Sequence, residues 1–471
     1  MKRATWWIAV AIVGLLLPGT LSATTRDVAN TQGFALALPN SVLNEISGGL
    51  LTTPYDELQQ RPFNLLFVNL DRNINLSPWN GQEGDHRRYV NALIGNNGNV
   101  NVRGDSDVWQ GAFIQRQTDD LTWAATVAYF ADEIGDSRNI PGVETFNDTD
   151  DLNGFDIRGA AAYRLSDSMV LGGGITIWDR SVEETERTFQ VGAGGFFGAD
   201  TESSSGIAID GGVRKFIDDY RSWEALMVYS MGDIEADEFS ETIDATGATT
   251  DRLVVQNLDI GTQTIALRGG YNRLFDNEKG EVQFQAGYTM AEKSLDNSDL
   301  AFSETGGVVT PSLTLLGESP VSTDTLWGRA STIFLQGPTE ILLGAGLALS
   351  GTDGSTRVDS GGVVEVNEAI DDSQTLLDLI VGFRQPLWSE RISLVASAQG
   401  NYVDWETSDI IDGSDATSSA TTTTTRYAIG IEGVYSHITF DLAWLFGETA
   451  SAANRQVIDF DRIVLSATMG W

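Results

Sequence analysis

Tyr427 to Phe446 reads YAIGIEGVYSHITFDLAWLF. Tyr427, Ile429, Ile431, Gly433 and Tyr435 alternate with Ala428, Gly430, Glu432 and Val434. Past a tight turn, Phe440, Leu442, Trp444 and Phe446 alternate with Thr439, Asp441, Ala443 and Leu445. Successive side chains of a strand point to opposite faces, so this stretch predicts an antiparallel hairpin with one apolar face and one face of small or charged residues. A sandwich core or the outer wall of a barrel could cover that apolar face, and the rest of the chain decides between them.

Working outward, the same theme recurs in segments of roughly 10 to 14 residues separated by turn chemistry. Candidate strands are 106–117, 121–132, 153–165, 169–179, 205–216, 222–233, 258–274, 280–293, 322–336, 340–350, 373–387, 391–405, 425–436, 438–448 and 457–471. Short turns at Thr118-Asp119-Asp120, Ser166-Asp167-Ser168, Gly337-Pro338-Thr339 and Ser389-Glu390 alternate with long Asp-, Ser-, Thr- and Gly-rich stretches at 133–152, 234–257, 294–321, 351–372 and 406–424. These stretches are read as loops outside the cell, and one of them carries the run Thr421 to Thr425, read as flexible and solvated. An even count requires one more strand upstream, and Phe63 to Leu76 is the candidate. Strands this numerous and this long are unusual in a sandwich. The fold class expected is therefore all-β: a transmembrane antiparallel up-and-down barrel of about 16 strands, with 14 as the alternative, short periplasmic turns and long extracellular loops.

The N-terminus has the layout of a secretory signal over residues 1–23: Lys2-Arg3, an apolar run from Trp6 to Leu17, Pro18, then small residues up to Ala23. That run is too short for a spanning helix of roughly 20 residues, and no later segment supplies one. If the chain sits in a membrane, a closed barrel is the remaining way to satisfy its backbone. Residues 24–62 lack the barrel pattern and are read as a periplasmic extension, a plug or a poorly ordered leader, with 63–471 as the barrel. Fifty glycines against ten prolines suit one large β-architecture. The formal charge of -37, two units more negative without Lys2 and Arg3, excludes phosphate-backbone recognition and so nucleic acid as a partner. Either a cation-attracting surface or a general acidity of exported proteins accounts for it. The absence of Cys and the two His argue against thiolate chemistry and imidazole-based metal sites.

The last segment, Ile463-Val464-Leu465-Ser466-Ala467-Thr468-Met469-Gly470-Trp471, places Ile463, Leu465, Ala467 and Met469 at every second position before a terminal aromatic. It resembles the C-terminal signature by which Gram-negative outer-membrane β-barrel proteins, porins among them, are recognised by their assembly machinery. It departs from that signature in ending on Trp rather than Phe and in having Ser466 where Gly is frequent. The resemblance implies an outer-membrane location, contact with outer-membrane lipids and lipopolysaccharide, and handling by the barrel assembly machinery. Trp123, Tyr129, Tyr163, Trp178, Trp223, Tyr229, Tyr288, Trp388, Tyr402, Trp405, Trp444 and Trp471 are expected in interfacial girdles.

Turning the non-apolar face inward puts Asp156, Arg158, Arg164, Asp210, Arg214, Gln283, Gln285, Arg329, Asp378, Arg384, Glu432, Asp441 and Arg462 in the lumen. These residues either line a water-filled diffusion path for small solutes, ions and in particular cations, or pair with one another and fill the interior. The stretch Gly192 to Gly198, with Phe196 and Phe197, is read as an infolded constriction, an edge segment or an extra strand. His86, among Asp85, Arg87 and Arg88, and His437 are the candidate bases for a lipid- or peptide-hydrolysing barrel, and neither lies in a nucleophile motif. Catalysis is accordingly not expected, nor is a cofactor. Asn147 to Gly154 is rich in oxygen donors, but position twelve of a calcium loop begun at Thr149 is Ala160, so no dedicated metal site is assigned. A non-conducting surface barrel with a structural or adhesive role is the alternative function. The oligomeric state is not legible.

Overall fold

The computed structural model describes residues 88–470 apart from short hairpin tips and a few turn residues. The strands are β1 Arg88–Gly98, β2 Arg103–Arg116, β3 Leu121–Ile140, β4 Glu144–Ser166, β5 Met169–Gln190, β6 Gly194–Asp218, β7 Arg221–Ile243 and β8 Thr249–Leu274. They continue as β9 Gly280–Thr305, β10 Val308–Gln336, β11 Thr339–Ser360, β12 Val363–Ser389, β13 Ile392–Ile411, β14 Ser414–Tyr435, β15 Ile438–Ser451 and β16 Gln456–Gly470. Each pairs antiparallel with its neighbours in sequence, and β1 pairs with β16, so the sixteen strands of the described residues close into a barrel. Closure removes the unpaired ladder edges that an open sheet of this size would expose.

Local chemistry explains the short turns. At the β2–β3 turn the Thr118 Oγ1 accepts the backbone N–H of Asp120 at 3.3 Å and of Leu121 at 3.0 Å. At the β10–β11 turn Gly337 adopts φ +65° and is followed by Pro338, whose ring fixes a negative φ. That order is the one required at the two central positions of a II′ hairpin turn. The β6–β7 turn is clamped by Arg221 Nε donating to Asp218 at 2.7 Å.

The two faces of the wall differ as the alternation predicts. On β7, Trp223, Met227 and Met231 are exposed while Ser222, Glu224, Leu226, Val228 and Ser230 are buried. Outside, the exposed apolar band continues through Ile157 and Tyr163 on β4, Ile175 and Ile177 on β5, Leu343 and Leu347 on β11, Leu379 and Val381 on β12, and Ile429 and Ile431 on β14. Beyond it, toward the long-hairpin end, the outward positions turn polar, as at Asp179, Ser205, Asp233 and Asp404. Fully hiding side chains of this size from water is worth about 1.5–3 kcal/mol each, so a band of them left outside needs a non-aqueous neighbour.

Several expectations are corrected. The strand opposite β16 is Arg88–Gly98, whereas 63–76 lies outside the described residues. The stretches read as long loops are mostly ladder: 133–152 is the end of β3 and the start of β4, joined across residues 141–143, and the other four likewise lie largely within paired strands. Polar residues on both faces erase the alternation signal there, while the backbone goes on pairing. The Thr421 to Thr425 run is part of β14, opposite Gly400 to Asp404 of β13. Asn147 to Gly154 is part of β4, its backbone paired with Arg180 to Arg187 of β5. Gly194 to Gly198 opens β6 at a hairpin end, paired with Glu186 to Gln190, and is not an infolded constriction. Its Gly194 has φ +104° and no room for a Cβ, which would lie 2.0 Å from the Ile243 carbonyl oxygen.

Candidate functional site

The inner face of the wall is the candidate site, and strand parity builds it. Inward positions near the short-turn end carry a tier of charge: Asp210 on β6, Glu224 on β7, Arg268 on β8, and Asp378 and Arg384 on β12, all buried. Arg268 Nη2 donates to Glu224 Oε1 at 3.0 Å, with both side chains almost wholly shielded from water. Gly270, the register partner of Glu224, makes room for it, since a Cβ there would lie 2.8 Å from Glu224 Cγ. Two charges taken out of water together are tolerated because each neutralises the other.

Of the residues singled out in the sequence, Asp210, Asp378 and Arg384 lie in this buried tier and Arg164 is half-buried. The backbones of Asp156, Arg158, Arg214, Arg329, Glu432, Asp441 and Arg462 occupy register positions of the same face. Arg158 lies opposite Thr176, Arg214 opposite Glu224, Arg329 opposite Gln285, Glu432 opposite Ser393 and Asp441, and Arg462 opposite Leu445. Ile463 and Leu465 fall opposite the outward Trp444 and Leu442, and Ala467 and Met469 follow on the same side, while Trp471 lies outside the described residues. Glu224 and Arg268 went unread, although the alternation around Trp223 and Leu267 marks them as inward by the same rule.

Interleaved with these charges on the same face, with Arg268 opposite Leu226 and Asp210 opposite Val228, is an apolar set. Ala208, Leu226, Val228, Ala266, Trp327, Ala348 and Leu376 form one buried cluster, with Trp178 and Val403 packed against it. Register ties much of it into a row: Leu226 opposite Arg268, then Gly287, Trp327, Ala348, Leu376 and Val403 on successive strands. The two indoles lie along the wall. Trp178 covers Gly206 and Gly232, where a Cβ would come within 2.2 and 3.2 Å of its Cζ2, and Trp327 covers Gly287 at 2.4 Å. Trp178 therefore belongs to the inner face and not to an interfacial girdle, whereas Tyr129, Tyr163, Trp223, Tyr288, Tyr402 and Trp444 are outward and exposed. Counting parity from Ile175 and Ile177 would have shown this for Trp178.

Beyond the apolar tier come hydroxyls. Thr323 and Thr352 share a hydrogen bond of 3.0 Å, and Thr325 and Ser350 one of 2.9 Å. Inner side chains of a round sixteen-stranded barrel face water. Among the described residues of β4 to β13 many of them are buried, with Trp327 only 3% exposed.

No family model matches the chain. No curated protein matches it either. Among solved structures it is similar to the CymD monoaromatic hydrocarbon channel, at 11% identity and TM-score 0.40 over 91% of this chain and 96% of that one. A Pseudomonas putida toluene transporter, TodX, aligns at 12% identity and TM-score 0.39 over 82% and 90%. The translocator domain of autotransporter NalP from Neisseria meningitidis aligns at 10% identity and TM-score 0.33 over 89% and 96%. These neighbours are outer-membrane β-barrel channels and translocators.

His86 and His437 lie outside the described residues. Among the described residues no group of three or more His, Cys, Asp or Glu is placed to hold a metal ion.

Proposed function

We propose that the chain is an outer-membrane channel for passive diffusion of small hydrophilic solutes or ions, with cations preferred, and that it carries no catalytic activity. The observation that carries this reading is the division of the closed wall into an exposed apolar outer band and an inner face bearing Asp210, Glu224, Arg268, Asp378 and Arg384. On β7 the band from Trp223 to Met231 is nine residues long, close to the roughly 9–11 residues with which a tilted strand crosses a bilayer. Lipid is the neighbour such a band requires, and lipopolysaccharide and the barrel assembly machinery are the partners that follow from an outer-membrane site. Permeation needs no cofactor: solutes exchange hydration water for contacts with the inner charges and hydroxyls. The formal charge of -37 raises the local concentration of cations at the mouths.

Planar-bilayer recording of the refolded protein under a salt gradient tests this. Discrete conductance steps with a reversal potential displaced toward the cation are expected. A folded barrel that inserts and never conducts would overturn the channel and leave the structural or adhesive surface barrel.

A further inference from the structure

The outer face of the wall changes the sign of its charge between the two edges of the apolar band, and the edge nearer the short turns suits a lipid phosphate. Resting on the outer-membrane reading, we infer that Lys215, Arg221 and Arg273, with Trp223 and Tyr271 beside them, form an outer-wall site for the phosphate of an anionic phospholipid in the periplasmic leaflet.

Register brings the five residues together. Lys215 on β6 lies opposite Trp223 on β7, and Trp223 opposite Tyr271 on β8, while Arg221 lies opposite Arg273, two residues nearer the turns. All five share the outward parity of Trp223, and the three cations are exposed. Directly opposed residues of an antiparallel pair have Cβ atoms about 4.5–5.5 Å apart, and diagonal ones are within about 7–8 Å. Three long cationic side chains therefore rise from one small area of wall. Arg221 and Arg273 are like charges set directly opposite each other, which costs stability unless an anion lies close to both. Asp218 supplies one carboxylate, 2.5 Å from Arg221 Nη2. It is the one carboxylate facing out with these cations among the described residues of β6 to β8 at this edge, so three cations face one anion in a chain of formal charge -37. At the opposite edge of the band the outward residues include Asp179, Asp233 and Asp404, which repel a phosphate. What adjoins the patch identifies its occupant. Trp223 opens the outward band of β7, and Met227 and Leu267, opposite each other and exposed, continue it away from the cations. Trp and Tyr suit such a boundary, because each has an apolar body and a polar tip. A ligand matching both sides has acyl chains to lie on the band and a negative head to meet Lys215, Arg221 and Arg273, which a free phosphate does not.

Native mass spectrometry of the refolded full chain, released from detergent containing equal amounts of phosphatidylglycerol and phosphatidylcholine with the same acyl chains, tests the site. The unaltered protein should retain severalfold more phosphatidylglycerol than phosphatidylcholine. Lys215→Gln with Arg273→Gln leaves the contact between Arg221 and Asp218 in place and should abolish that preference. Arg187→Gln, which removes an exposed cation near the far end of β5, should preserve it. Circular dichroism confirms that each variant retains its β-structure, and Lys215→Gln alone should reduce the preference in the same direction should the double variant not fold. Equal retention of the two lipids by the unaltered protein, an undiminished preference in the folded double variant, or displacement of phosphatidylglycerol by inorganic phosphate would overturn the site and leave the outer-membrane reading standing. A folded chain that enters no phospholipid vesicle would overturn both.

Discussion

Arg268 and Glu224 face each other across a lumen tier with no water to replace either partner. Arg268→Leu removes the cation hydrogen-bonded to the Glu224 carboxylate and is expected to destabilise the barrel by about 3–5 kcal/mol, whereas the double change Glu224→Leu with Arg268→Leu recovers part of that loss. Urea unfolding of the refolded proteins checks both, and equal losses in the single and double variants would contradict the pairing. Residues of this tier were legible from parity alone: Asp210, Asp378 and Arg384 sit opposite exposed neighbours such as Ile209, Leu379 and Phe383. Trp327 was harder to read. An aromatic in an alternating segment suggests the lipid side, but Trp327 shares the parity of Arg329, already turned inward, and alternates with the exposed Leu326.

Each strand carries two kinds of sequence, and only one announced itself. Where lipid-length alternation runs, as along Thr375 to Leu387 of β12, strand and facing were both readable. Past its upper end, polar residues occupy both faces, as along Asp371 to Gln374, and pairing there depends on backbone hydrogen bonds that side-chain pattern does not report. The two parts should respond differently to charge. Val381→Lys places an ammonium in the middle of the outer band and should cost about 2–4 kcal/mol, while Thr423→Lys, outward on β14 beyond the band, should cost about 0–1 kcal/mol. Unfolding titrations in lipid vesicles separate the two, and equal costs would contradict the placement of the band. At the β10–β11 turn, Gly337→Ala forces a Cβ onto φ +65° and should cost about 1–2 kcal/mol without altering conductance.

The whole molecule is defined by one pairing that no local pattern contains. Tyr89 lies opposite Gly470 and Ala92 opposite Ala467, so the first described strand and the last are neighbours though most of the chain separates them. The sequence supplied the parity argument for a partner strand upstream. It did not supply the location, because β1, RYVNALIGNNG, alternates weakly and lies among polar residues. That seam also sets an order of events. Until β16 has been made and docked, every partial product has two open ladders and an apolar outer band at once, the combination that invites association between chains. A chain cut after Ser451 should refold into aggregates that sediment, where the full chain gives a dispersed, sealed cylinder. Such a protein cannot mature gradually from its first strand to its last: for nearly the whole time of its synthesis it is a passenger that must be kept apart from its own kind, and it becomes self-sufficient only in the single step that joins its two ends.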